Sequence, residues 1–160
     1  MTSPHSRPLP GARSDFPQFV PISTRWMDND VYGHVNNVVY YSFFDTAVNQ
    51  FLIERGVLDI ASGTSIGLVV HSECDYFAPL SFPGTVEAGL RVVDIGASSV
   101  TYEIGLFAPG SEQTAAKGRF VHVYVDRQTR RPAPLPPALQ RAVVALSSSP
   151  GGVRGRRDLA

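Results

Sequence analysis

The residues with chemistry to offer are gathered between Arg25 and Asn37, in the run Arg-Trp-Met-Asp-Asn-Asp-Val-Tyr-Gly-His-Val-Asn-Asn. Two carboxylates, Asp28 and Asp30, stand in a stretch of turn formers, with Gly33, His34 and the pair Asn36 and Asn37 after them. Asparagine caps helix N-termini well, so a helix should begin at that pair. The loop then feeds a helix end, where unpaired N–H groups and the helix dipole favour a negative oxygen. A carboxylate beside such an end can drive hydrolysis. Asp28 reads as an organiser of the loop, His34 as a structural hydrogen-bonding residue, and Asn36 and Asn37 as caps first, any substrate role being carried by their backbone.

Other hydrolytic designs find no footing. The chain has no Gly-x-Ser-x-Gly nucleophile motif. Its single cysteine, Cys74, has only His71 nearby, three residues away on an expected strand and so on the opposite face. His71 and His122 fall within strand patterns and read as ordinary surface or core histidines. The histidines and carboxylates do not fall at metal-ligand spacing, so no metal is expected.

The loop must be positioned by what flanks it. Phe19 to Trp26 reads as a first strand, and a helix of about five turns should run from Val38 to Arg55. Gly56 stands where a left-handed C-terminal cap belongs. The polar residues of that helix, Ser42, Asp45, Thr46, Asn49 and Gln50, share one narrow stripe, so the rest of its surface must be largely enclosed. Strand-like segments follow at 67–77, 85–94, 99–108 and 114–126. Alternation is clean in Val86, Ala88, Leu90 and Val92, and again in Val100, Tyr102, Ile104 and Leu106. One strand, a long buried helix and four strands make an α+β layout in which an antiparallel five-stranded sheet wraps the helix.

The 160 residues suit a single domain, expected over 17–146 between flexible tails at 1–16 and 147–160. Fourteen basic residues balance fourteen acidic ones, leaving no overall field to gather nucleic acid or an anionic membrane. The lone cysteine, the absence of a secretory signal and the lack of a spanning apolar run make a cytoplasmic location the expectation.

The motif Asp28-x-Asp30-x-x-Gly33-His34-Val35-Asn36-Asn37, then Tyr40 and an aromatic helix carrying Asp45, resembles that of the hotdog-fold acyl-CoA thioesterases of the 4-hydroxybenzoyl-CoA thioesterase family, with its YbgC-like and long-chain branches. The resemblance continues through Tyr76-Phe77-Ala78-Pro79-Leu80, Ile95-Gly96-Ala97-Ser98-Ser99 and Val121 to Asp126, and so covers about residues 18 to 140. It implies a hotdog fold and hydrolysis of acyl-CoA to acid and CoA with no cofactor. Asp30 would be the catalytic carboxylate, as general base or nucleophile, and the oxyanion would meet backbone N–H groups around Asn36 and Asn37. Tyr40 and Tyr41 would line the acyl site, and Ser98 and Ser99 the pantetheine or nucleotide entrance. The family's arrangement as homodimers, or tetramers built from them, would put the site at a subunit interface. One departure is that Thr46, Ala47 and Val48 follow Asp45, where the family carries Glu and then Arg, so that arginine's charge pairing is lost. Two other functions fit the same scaffold. One is a hotdog hydratase or dehydratase, in which His34 would have to partner Asp30; the other is a non-catalytic acyl-CoA-binding module.

Overall fold

Strand segments with one apolar face pair into a single antiparallel sheet, and the longest apolar helix lies across that face. The computed structural model describes residues 6–147. Its strands are β1 (Gln18–Ser23), β2 (Ser65–Tyr76), β3 (Thr85–Ile95), β4 (Ser99–Phe107) and β5 (Ala116–Asp126), with helices α1 (Val39–Glu54) and α2 (Pro137–Ala145). The sheet order is β1-β3-β4-β5-β2. This is the expected hotdog arrangement, a five-stranded sheet around one long helix.

Helix α1 buries Tyr40, Phe43, Phe44, Ala47, Val48, Phe51 and Leu52, a stripe at three- and four-residue spacing. They meet Val86, Ala88, Leu90, Val100, Tyr102, Ile104 and Phe120 on the sheet's inner face. Closest approach comes at Phe44, whose ring lies over Gly118 of β5; a Cβ on Gly118 would sit 2.3 Å from that ring. The helix stops where Gly56 turns to φ 67°. Gly56 N–H donates to Ile53 O at 2.9 Å and Val57 N–H to Leu52 O at 3.0 Å, which completes a left-handed cap. The polar stripe is exposed at Ser42, Asp45 and Thr46, as expected, and enclosure falls short only at the apolar Val38, just before α1, and Ile53, near its end.

Three sequence expectations are corrected. Strand β1 ends at Ser23, not Trp26, because Asp28 pulls the chain into a 3-10 turn over Trp26–Asp28. Residues 9–16 are not a loose tail but a strap across the outer face of the sheet. Thr114 N–H donates to Gly11 O at 2.9 Å, Arg13 reaches both Glu87 oxygens at 3.1 Å, and the Phe16 ring fills the notch over Gly89 and Gly105. Finally, α2 was not foreseen. Pro137 opens it, and Leu139, Ala142, Val143 and the following Leu146 close one end of the core. Of the expected C-terminal tail, 148–160 lies outside the described residues, while Ser147 bridges to Val92.

Two buried polar atoms on the inner face, His122 Nε2 and Tyr102 Oη, have no hydrogen-bond partner among the described residues. Burial holds the His122 imidazole below its ordinary pKa, against a smaller upward pull from Asp45. The unfolded chain therefore takes up a proton below about pH 6.5 that the folded chain resists. Stability should fall as pH drops from 7 to 5, and His122→Phe should flatten that part of a melting-temperature profile. An unchanged slope in the variant would remove His122 as its origin.

Candidate active site

The Arg25–Asn37 loop is anchored from beneath by Asp28, which is fully buried. Its Oδ2 accepts from Arg25 N–H at 2.7 Å, and its Oδ1 accepts from Arg25 Nε at 3.1 Å and Nη2 at 2.9 Å. Both oxygens of this carboxylate are thus engaged, which suits an organiser of the loop. Asn29, which sequence reasoning passed over, ties the loop to its neighbour: its Oδ1 accepts from Phe82 N–H at 3.0 Å and its Nδ2 donates to Phe82 O at 3.3 Å. Val35 N–H adds a bond to Leu80 O at 2.7 Å.

Between these anchors Asp30 sits half-buried at the head of a tight turn. Gly33 N–H donates to Asp30 O at 3.1 Å, and Gly33 itself adopts φ 78°, a conformation a side chain would strain. Asp30 N–H donates to His34 O at 2.9 Å. One carboxylate oxygen, Oδ1, accepts from Tyr32 N–H at 2.8 Å, and Oδ2 has no donor among the described residues. His34 is exposed.

The start of α1 differs in detail from the sequence expectation. Val38 holds the N-cap position, and Asn36 acts one step earlier: its Oδ1 accepts from Val38 N–H at 3.2 Å and its carbonyl from Val39 N–H at 2.9 Å. The Asn36 amide donates to Asp28 O at 2.8 Å. It is therefore already committed and is not available to an oxyanion. Asn37 carries no such commitment at its amide, and its carbonyl accepts from Tyr76 Oη at 2.9 Å. The first-turn amides of Tyr40 and Tyr41 have no acceptor four residues back within the helix.

Tyr40 is buried, its ring 4.9 Å from that of Tyr76, so it packs the wall behind the helix start. Tyr41 is half-buried against Phe44 at 5.9 Å. Ser98 and Ser99 are not brought to Asp30. They lie in the β3–β4 turn, whereas the loop meets the opposite end of β3, where Thr24 N–H donates to Gly84 O at 3.0 Å. The length of β3 separates them by roughly 33 Å. Cys74 is half-buried, and burial pushes its thiol up to about 11, far from a reactive thiolate. Among the described residues, no group of three or more His, Cys, Asp or Glu gathers as a metal site would require, and no helix is long and apolar enough to cross a membrane.

Large apolar side chains stand exposed around this loop, Trp26, Met27, Val31, Tyr32 and Val38, and along the edge strand β2, Leu68, Val69 and Val70.

Comparison with known proteins agrees with the geometry. The PA5185 protein of Pseudomonas aeruginosa is 58% identical over 88% of this chain and 99% of its own, with a TM-score of 0.86. A thioesterase from Thermus thermophilus, solved with coenzyme A and zinc, is 34% identical over 84% of this chain and 98% of its own, at a TM-score of 0.68. A 1,4-dihydroxy-2-naphthoyl-CoA thioesterase from Synechocystis shares the fold at 22% identity, covering 79% of this chain and 94% of its own, with a TM-score of 0.73. No curated protein matches the chain. The model of the thioesterase-like superfamily matches residues 24–143, from just past β1 into the second helix, and the chain belongs to that superfamily.

Proposed function

We propose that the protein hydrolyses acyl-CoA thioesters to free acid and CoA, with Asp30 as the catalytic carboxylate. The observation that carries this reading is the contrast between the loop's two acids. Asp28 is buried and saturated with donors, while Asp30 is half-buried with Oδ2 free, on a loop that delivers it to the start of a 16-residue helix. Asp30 would activate water or attack the carbonyl carbon directly. The amides of Asn37 and the first helical turn, rather than that of Asn36, would receive the developing oxyanion, each such donor being worth roughly 3 to 4 kcal/mol.

One carboxylate suffices for this substrate. A thiol with pKa near about 8.5 departs as thiolate without a general acid, and the reaction needs no cofactor. Coenzyme A as the carrier is supported by the Thermus thermophilus relative, which was solved with it.

The active unit we propose is a dimer joined along β2. That strand is twelve residues long, lies at the sheet's edge and leaves its outer N–H and C=O groups unpaired beside exposed Leu68, Val69 and Val70. An edge of this kind invites a second strand, and a second copy supplies an identical one by twofold symmetry.

Product analysis tests the reading against its rival. Incubation with saturated, hydroxyacyl and enoyl-CoA substrates should release free thiol and acid. Interconversion of hydroxyacyl and enoyl thioesters with no thiol released would instead establish a hydratase.

A further inference from the structure

We infer that the turn between α1 and β2 of one subunit closes the Asp30 site of its partner, with Ile60 as the residue that covers it. This rests on the edge-to-edge dimer and on the role of Asp30 proposed above.

Within one chain the turn is out of reach of that site. The Asp30 loop feeds the N-terminal end of α1, whereas residues 57–64 follow its C-terminal end. The 16 residues of the helix hold the two apart, a length of about 24 Å.

Yet the turn is built to hold one shape. The Asp59 carboxylate accepts from Ala61 N–H at 3.1 Å and from Ser62 N–H at 3.0 Å, and Gly63 N–H donates to Asp59 O at 3.1 Å. Arg127, just past the end of β5, clamps it from the side. Its Nη1 donates to Ala61 O at 3.0 Å, its Nη2 to Ile60 O, and its backbone N–H to Thr64 O at 2.9 Å. The clamped turn leaves Ile60 69% exposed. A lone exposed isoleucine is ordinary. This one is displayed on a fixed turn, at the head of the edge strand that carries Leu68, Val69 and Val70.

Symmetry supplies the destination. Of those three edge residues Val70 is the most exposed, at 59%. When β2 pairs with its own copy antiparallel about Val70, Glu73 faces the partner's Gly67 and Asp75 faces the partner's Ser65, so no acid opposes an acid. Tyr76 then stands beside the partner's Thr64. Tyr76 is the residue whose Oη donates to Asn37 O at 2.9 Å at the start of α1. The partner's turn therefore arrives where the loop carrying Asp30 enters the helix. The turn holding Ser98 and Ser99 lies at the same end of the sheet as Ser65, since Ser98 O accepts from Tyr124 N–H and Tyr124 faces Gly67. Their distance from Asp30 within one chain is thus also resolved by the partner.

A crosslink tests the placement without reference to activity. In a Cys74→Ser background, Val38→Cys and Ile60→Cys in one chain put thiols at two exposed positions at opposite ends of α1. Treatment with a short bismaleimide should give a covalent dimer on a denaturing gel, and a wholly monomeric band would overturn the inference. Subunit mixing tests the function. The Ile60→Asp protein should lose at least about tenfold in kcat/KM. Exchange of its subunits with those of Asp30→Asn should restore about one quarter of the unmodified activity, because each mixed dimer holds one site with both lesions and one with neither. Failure to recover means that Ile60 does not act across the interface. Full activity in Asp30→Asn alone would instead remove the catalytic reading, and the crosslink would then decide the placement by itself.

Discussion

Asp30→Asn is expected to release thiol from acyl-CoA at least about a hundredfold more slowly than the unmodified protein, the scale at which a positioned carboxylate contributes. Asparagine matches aspartate in shape, and its side-chain oxygen can still accept from Tyr32 N–H, the 2.8 Å bond that shapes the turn. The loop's other supports, the Arg25–Asp28 pair and the Asn29–Phe82 clamp, are untouched. Only charge and basicity are removed, from the one oxygen left free for chemistry. The loss should therefore appear in kcat, with the affinity for acyl-CoA and the melting temperature preserved. A variant that loses affinity and stability together with rate would make Asp30 a structural residue of the turn.

The largest expected effect on stability is at Phe44. Phe44→Ala removes a fully buried ring that stacks edge-on against Phe120 at 5.7 Å and Tyr41 at 5.9 Å. Deletions of this kind cost about 3 to 5 kcal/mol, a large part of the roughly 5 to 15 kcal/mol that holds an ordinary domain folded. A fall in melting temperature of roughly 10 to 15 °C should follow. Gly118→Ala attacks the same contact from the sheet side, where the new Cβ would meet the Phe44 ring at 2.3 Å. Because α1 and its N-terminus ride on this contact, that variant should lose about 1 to 3 kcal/mol of stability and also activity. In the Phe44→Ala background Gly118→Ala should cost far less, since the Cβ enters the space the ring has left. Additive losses in this double-mutant cycle would mean that the close approach of helix to sheet does not govern the core.

Much of this layout was legible in the sequence because hydrophobic spacing reports local geometry. The alternation Val86, Ala88, Leu90, Val92 turned up as the inner face of β3, and Gly56 took the left-handed cap on which the helix boundary was drawn. The motif around Asp28 and Asp30 drew attention to the right loop, but the different tasks of its acids depend on bonds that spacing does not encode. Asp28 is consumed by the Arg25 backbone and guanidinium, and the Asn36 amide by Asp28 O, so a donor that looked available is taken.

The misses were long-range for the N-terminal strap and local for α2. The strap at 9–16 looked like a proline-rich tail, because its apolar anchor Phe16 is solitary and the notch it fills is made by Gly89 and Gly105, far away in sequence. Helix α2 hid behind prolines, although Pro137 followed by Leu139, Ala142, Val143 and Leu146 does carry a helical start and spacing. Ser98 and Ser99, which the motif assigns to the pantetheine or nucleotide entrance, lie at the other end of β3 from the Asp30 loop.

The central claim is tested most directly by measuring free-thiol release from short, long and aryl acyl-CoAs with the unmodified protein and Asp30→Asn side by side. The account predicts that at least one substrate is cleaved and that its cleavage falls by about a hundredfold or more in the variant. If every substrate is bound and none cleaved, or if Asp30→Asn cleaves as fast as the unmodified protein, Asp30 is not the group that breaks the thioester.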